Sequence, residues 1–284
     1  MSETPATCAY RLAYDGRPFH GFQRQPDVPT VEECVFDALR ELGVLEAAAD
    51  KPAGYAAAGR TDAGVSARAQ TVAFEAPEWL SPRALNSELP ASVRAWADAD
   101  VDPDFHATYD ADSRVYRYHL HDPRDGGRAL ADGSALDEGG IRAAFDRLAG
   151  EHDFHNLTPD ETGTVRDLSA AVERDDDFLV VELAAGGFAR QLVRRVVGLA
   201  VEVGRGESEL SKVDRVLGPG AVEGPEGVAP APPYPLVLWD VAYSGVSFSV
   251  DEDAAESARA VWRRRHRDRV VDARVAGAIR DGIG

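Results

Sequence analysis

Between Gly59 and Gly64 stand a guanidinium, a hydroxyl and a carboxylate: Arg60, Thr61 and Asp62. Glycine lets a backbone fold tightly and lets another molecule's backbone come close. The run Gln70–Phe74 that follows alternates at strand period, so the three polar groups belong at the lip of a sheet. As a plain turn, this segment would have Asp62 bonding its own backbone and Arg60 lying in water. As a site, it offers a carboxylate that can attack or stabilise a reacting centre, beside a guanidinium suited to a phosphate.

Three other stretches carry groups of the same kind. In Phe188–Gly198 the spacing predicts a helix, on which Arg190 and Arg194, four apart, share a face. Arg194 stands among Leu192, Val193, Val196 and Val197, so its charge needs an anionic partner unless the side chain reaches water. In Ser113–His119, strand period puts Tyr116 and Tyr118 on one face and Arg117 and His119 on the other. A tyrosine beside an arginine is either a stacking platform for a base or part of a sheet core. The loop Tyr14–Gln25 gathers Phe22, Gln23 and Arg24 at a strand end, where aromatic, amide and basic groups suit a nucleic-acid backbone. His119 with His121, and His152 with His155, have no Cys or carboxylate at ligand spacing, so no metal site is expected.

Together these stretches resemble the tRNA pseudouridine synthase A family. Tyr14–Gln25 (YDGRPFHGFQRQ) is similar to its opening motif, and Gly59–Val65 (GRTDAGV) to its catalytic motif, with Asp62 at the essential aspartate. Asp104–Tyr118 resembles the segment with the active-site tyrosine, here Tyr116. Gly150–Leu157 and Phe188–Gly198 follow in the family's order, with Arg194 at the arginine that pairs with the aspartate, and Pro232–Tyr243 resembles the closing strand. Ser66 and Leu192 depart from the family's usual histidine and methionine. The tail beyond Gly245 is not covered.

The resemblance implies an α+β pseudouridine synthase fold: two ferredoxin-like α/β domains that share a central mixed sheet, with a cleft between them for the anticodon stem-loop of tRNA. It implies a homodimer that needs no cofactor and turns uridine into pseudouridine, with Asp62, Tyr116 and Arg194 catalytic. Arg60, Phe22, Gln23, Arg24 and Arg190 would then contact RNA. Three rival readings fit the residues less well. A non-catalytic RNA-binding module of the same fold would have no need of Asp62. A carboxylate-dependent glycoside hydrolase would want a second carboxylate in a comparable motif. A nucleoside triphosphatase lacks its Gly-rich loop ending in Lys-Ser/Thr.

The elements that must position these groups follow from periodicity. Strands are expected at Cys8–Tyr14, Tyr55–Ala58, Gln70–Phe74, Val93–Ala97, Arg114–His121, Val165–Glu173, Phe178–Leu183 and Leu236–Tyr243. Helices are expected at Thr30–Leu42, where Thr30 and Glu33 make a capping box, and at Ser81–Glu88, Asp137–Leu148, Phe188–Val203, Glu207–Leu217 and Asp251–Ile283. Residues 1–7 read as disordered. The domains read as 8–105, 106–245 and a helical extension over 246–284, whose Arg263–Arg267 run makes it either a surface helix packed by Trp262 or an RNA-touching arm.

Charge bounds the rest. Forty-nine acids against 31 Lys and Arg give a net charge of −18, and Lys51 and Lys212 are the only lysines. Such a balance ordinarily argues against a nucleic-acid partner. Its clustering at Asp98–Asp104, Asp175–Asp177 and Asp251–Asp253 points instead to a surface adapted to concentrated salt. Cys8 and Cys34 match no redox or ligand spacing. With no long apolar run and no basic leader, a cytoplasmic protein without a membrane segment is expected.

Overall fold

A computed structural model describes residues 6–123, 136–222 and 224–283. The chain runs β1 (Ala6–Tyr14), α1 (Val31–Glu41), β2 (Ala56–Ala57), β3 (Ser66–Ala76), α2 (Pro82–Glu88) and β4 (Val93–Asp100). It continues with β5 (Ser113–His121), α3 (Glu138–Leu148), β6 (Gly150–Asp153), β7 (Val165–Asp175), β8 (Phe178–Ala185), α4 (Leu192–Gly204), α5 (Ser211–Val216), β9 (Leu236–Ala242), β10 (Ser249–Val250) and α6 (Glu252–Gly282). The strands form one sheet in the order β10-β4-β1-β3-β9-β5-β8-β7-β6, with β2 added on β3.

Every pairing is antiparallel except β3 with β9, which run parallel through Ser66–Val237 and Ala67–Leu238. That short parallel join is the seam where the two halves become one mixed sheet. Arg11 staples the strands beyond it. Its guanidinium donates to Ala69 O at 3.1 Å on β3 and to Val241 O at 2.6 Å on β9, and its centre lies 4.2 Å from that of the Phe248 ring. One continuous apolar cluster joins Tyr10, Leu12 and Tyr116 of the strands to Val35 and Leu39 of α1 and Val196 and Leu199 of α4. The core therefore crosses the seam as the sheet does.

Local chemistry accounts for most boundaries. Thr30 caps α1 by accepting from Glu33 N at 3.3 Å, and Ser81 caps α2 with Pro82 in its first turn. Asp251 caps α6 through Ala254 N at 3.0 Å, which gives one member of an expected solvent cluster a structural task. Tertiary contacts decide the differences. Residues 6 and 7 belong to β1, and the rest of the segment read as disordered lies outside the described residues. The helix expected from Phe188 starts only at Leu192, because Gln191 is left-handed (φ 61°) and the Arg190 N–H is held by Asp160. The helix expected from Glu207 shortens to α5, because the N–H groups of Glu207 and Ser208 turn back to Glu202 O. Strand β6 lacks apolar alternation and exists through its pairing with β7. No helix among the described residues is long and apolar enough to cross a membrane.

Candidate active site

The loop between β2 and β3 is held from both sides. Before it, Ala58 O accepts two N–H groups of the buried Arg114 at 2.9 and 2.7 Å, and Gly59 O accepts Gln70 Nε2 at 2.7 Å. At its centre Thr61 bonds the Tyr14 hydroxyl at 2.8 Å, and its carbonyl accepts Phe22 N at 3.0 Å. After it, Val65 N returns to Asp62 O at 3.1 Å. A side chain on Gly16 would bring its Cβ within 2.0 Å of Val65 O, so only glycine lets β1's end lie this close under the loop. Ser66, the departure noted above, accepts Gly16 N at 3.1 Å.

Asp62 thus sits on a pinned backbone, and its partner comes from the other half of the molecule. Arg194 Nη1 donates to Asp62 Oδ2 at 3.0 Å, with the two side chains 15% and 30% exposed. The geometry bears on the choice posed by sequence: the guanidinium is not reaching into bulk water. Arg194 is held in turn by Ala231, whose carbonyl accepts Nε at 2.7 Å and whose N–H donates to Arg194 O at 2.9 Å. At this separation the pair attracts by about 5 kcal/mol before desolvation at an effective dielectric of about 20. Removing the arginine leaves a half-buried carboxylate unpaired.

Tyr116 is buried and meets the Phe188 ring edge-on at 5.2 Å. Burial pushes its phenol up to about 12; the Arg114 guanidinium opposes this and the Asp62 charge adds to it. Within the electrostatic reach of the carboxylate there is therefore a neutral hydroxyl on an aromatic platform, not a phenolate.

Other expected residues are placed differently. Arg190 and Arg194 do not share a helical face: Arg190 precedes α4 and is occupied with Asp160, at 3.3 Å, and with Pro159 O. Phe22 is a core residue, 1% exposed and packed near Tyr14, so its ring seats the loop and does not face solvent. Arg24 is tied to Asp50 and to Glu33. Gln23 and Arg60 are exposed. Sequence reasoning missed Arg114, which also donates to Thr108 O at 2.6 Å and Gly186 O at 2.5 Å and so ties three loops to the base of the site. Its signal was its parity: on β5 it shares the inward face with Tyr116 and Tyr118. Two cavities, of about 990 and 730 Å³, border the supports of the loop, but neither is walled by Asp62.

Comparison with known proteins puts the chain in the pseudouridine synthase class. The family described as tRNA pseudouridine synthase matches residues 144–244. The tRNA pseudouridine synthase A of Haloarcula marismortui is 60% identical over 275 residues, covering 97% of this chain and 99% of that protein. That of Natronomonas pharaonis is 59% identical, covering 95% and 98%, and that of Archaeoglobus fulgidus 37% identical, covering 93% and 92%. The crystal structure of an archaeal box H/ACA sRNP Nop10-Cbf5 complex superposes on 69% of this chain and 44% of that one at 17% identity, with a TM-score of only 0.33. The chain belongs to the tRNA pseudouridine synthase A family. Its relatives include proteins of halophilic archaea, in keeping with its acidic surface.

Proposed function

We propose that this protein isomerises uridine to pseudouridine in tRNA, with Asp62 as the reacting carboxylate. The observation that carries the reading is the Asp62–Arg194 pair, 3.0 Å long and made across the seam between the halves. The reaction breaks the bond from ribose C1′ to uracil N1, turns the base, joins C1′ to C5, and moves the C5 proton to solvent while N1 takes one up. A stacked and paired base is out of reach, so the nucleotide must first be extruded into the site.

Asp62 has to be ionised to act, whether it attacks C1′, assists elimination at the sugar, or adds to uracil C6. The Arg194 guanidinium lies 3.0 Å from that carboxylate as its counter-charge. Tyr116 offers the detached base a face to stack on. With its phenol held neutral, it passes the C5 proton on through its hydroxyl and water. Arg60, exposed at the loop, meets a phosphate beside the extruded nucleotide in this reading.

The same reading takes residues 8–105 and 106–245 as the two lobes that receive the anticodon stem-loop. It has the enzyme work as a cytoplasmic homodimer. Incubation with an unmodified tRNA transcript, followed by chemical mapping of pseudouridine, tests it. New pseudouridine confined to the anticodon arm is expected. A transcript that stays fully uridine, under salt conditions in which the protein is folded, overturns it.

A further inference from the structure

Helix α6 crosses the sheet face at β4, burying Ala254, Ala255 and Ala258. Beyond these alanines the helix and the sheet leave a groove of about 990 Å³. Trp96, Trp239 and Trp262, three of the chain's four tryptophans, line it. So do five arginines, against Asp15 as the single carboxylate. Arg259, Arg265 and Arg269 have carboxylate partners in Glu256, Asp15 and Asp272, which leaves Arg17 and Arg68 as the wall cations without one among the described residues. Asp62, Tyr116 and Arg194 are not among the walls.

The cations lie on the rings. The Arg68 guanidinium is 5.0 Å from the centre of Trp239 and 5.6 Å from that of Trp96, and Arg265 is 5.7 Å from that of Trp262. Flat guanidinium and indole surfaces arranged this way suit unstacked bases, and the charges suit the phosphates between them. A second copy of this acidic chain would meet the same charges and rings, and sedimentation distinguishes it from RNA. Stacking also suits a protein built for concentrated salt, because salt weakens phosphate contacts far more than base–ring contacts. The groove is tied to the catalytic loop as well. Arg265 bonds Asp15 Oδ2 at 2.5 Å, the next residue is the Gly16 that lies under Val65, and Arg17 lines this groove and the neighbouring cavity alike.

We propose that the groove under α6 binds an unpaired stretch of the substrate tRNA that lies outside the nucleotide being isomerised. The proposal rests on the reading of the chain as a tRNA-modifying enzyme. It assigns the arginine-rich helix a positioning role in holding the RNA body.

The test uses the full chain, Trp262→Ala and, because Arg269 is exposed and its replacement cannot empty the core, Arg269→Glu. Affinity and turnover are measured for a full-length tRNA transcript and for its isolated anticodon stem-loop. Quenching of tryptophan fluorescence by a short single-stranded oligoadenylate reads the groove independently of turnover. We expect each variant to weaken tRNA binding roughly tenfold, to weaken the quenching in parallel, and to leave stem-loop turnover at the unmodified protein's level. Equal losses on both RNAs, or no loss on either, overturn the proposal. A variant that sediments differently from the unmodified chain also overturns it, since the face then belongs to a second copy. If the unmodified chain turned over neither RNA yet oligoadenylate still quenched it, the activity reading would fail and the groove would stand as an RNA site.

Discussion

Arg194 shows how far one residue can be read from sequence. Its apolar neighbours in Leu192–Val197 demand an anion, and Asp62 is the anion found, 3.0 Å away. Arg114 shows the limit. Its parity on β5 marks it as inward-facing, yet it is satisfied by backbone carbonyls of Ala58, Thr108 and Gly186, and no side-chain type in the sequence announces a carbonyl acceptor. The surroundings of Phe22 and Arg24 were not legible for a related reason: an aromatic or basic residue in a loop suits RNA, a protein core or an ion pair, and only the packing shows Phe22 buried and Arg24 paired with Asp50. At this scale, Arg194→Ala should cost about 1–3 kcal/mol of stability by leaving Asp62 half-buried and unpaired. It should also reduce turnover at saturating tRNA by more than it changes tRNA affinity. Chemical denaturation and single-turnover kinetics measure the two effects, and unchanged values for both would remove the paired-charge argument.

Among the elements, α4 is the one whose position decides the site, because it carries Arg194 against the segment around Ala231. Gly198, one turn on, makes that contact possible: a Cβ there would stand 2.3 Å from Ala229 O, a backbone atom that must move. Gly198→Ala is therefore expected to destabilise the fold by about 1–3 kcal/mol. It should also lower kcat well below the starting protein's value at temperatures where the variant remains folded, since Ala231 moves with Ala229. A variant that loses stability and keeps its full kcat would show that the glycine serves packing alone. Acidic residues at its start marked α6, and strong periodicity made most other elements legible, including α1, β5 and β8. The start of α4 was not, because Asp160 and the left-handed Gln191 override a helical pattern from outside the segment. Strands β6 and β10 are short and carry no apolar alternation, so only their partners reveal them.

For the molecule as a whole, the sharing of one sheet by two halves came with the family resemblance, but the two-residue parallel seam and its Arg11 staple were not legible. They depend on residues 171 and 230 positions apart. The core that crosses the seam carries an unusual number of buried phenols. Burial raises Tyr116, Tyr118 and Tyr243 from 10.0 to about 12, and pushes Tyr10, Tyr14 and Tyr55 up as well. The unfolded chain therefore releases these protons at lower pH than the folded one. Their contribution to stability is complete below pH about 10 and is lost as pH rises toward about 12, several kcal/mol in sum. Thermal melts across that window should show a steep fall in Tm, with tyrosinate absorbance appearing together with unfolding. Ionisation of these six tyrosines in a chain that stays folded would contradict the packing described for the core.

The most direct test of the account is release of tritium from the uracil C5 of a labelled tRNA, comparing the unmodified chain with Asp62→Asn. That replacement keeps the side chain's shape and removes its charge. The account predicts release by the unmodified chain and none above background by the variant, with tRNA binding retained in both. Measurable release by Asp62→Asn would contradict it, since the reacting group would then lie elsewhere.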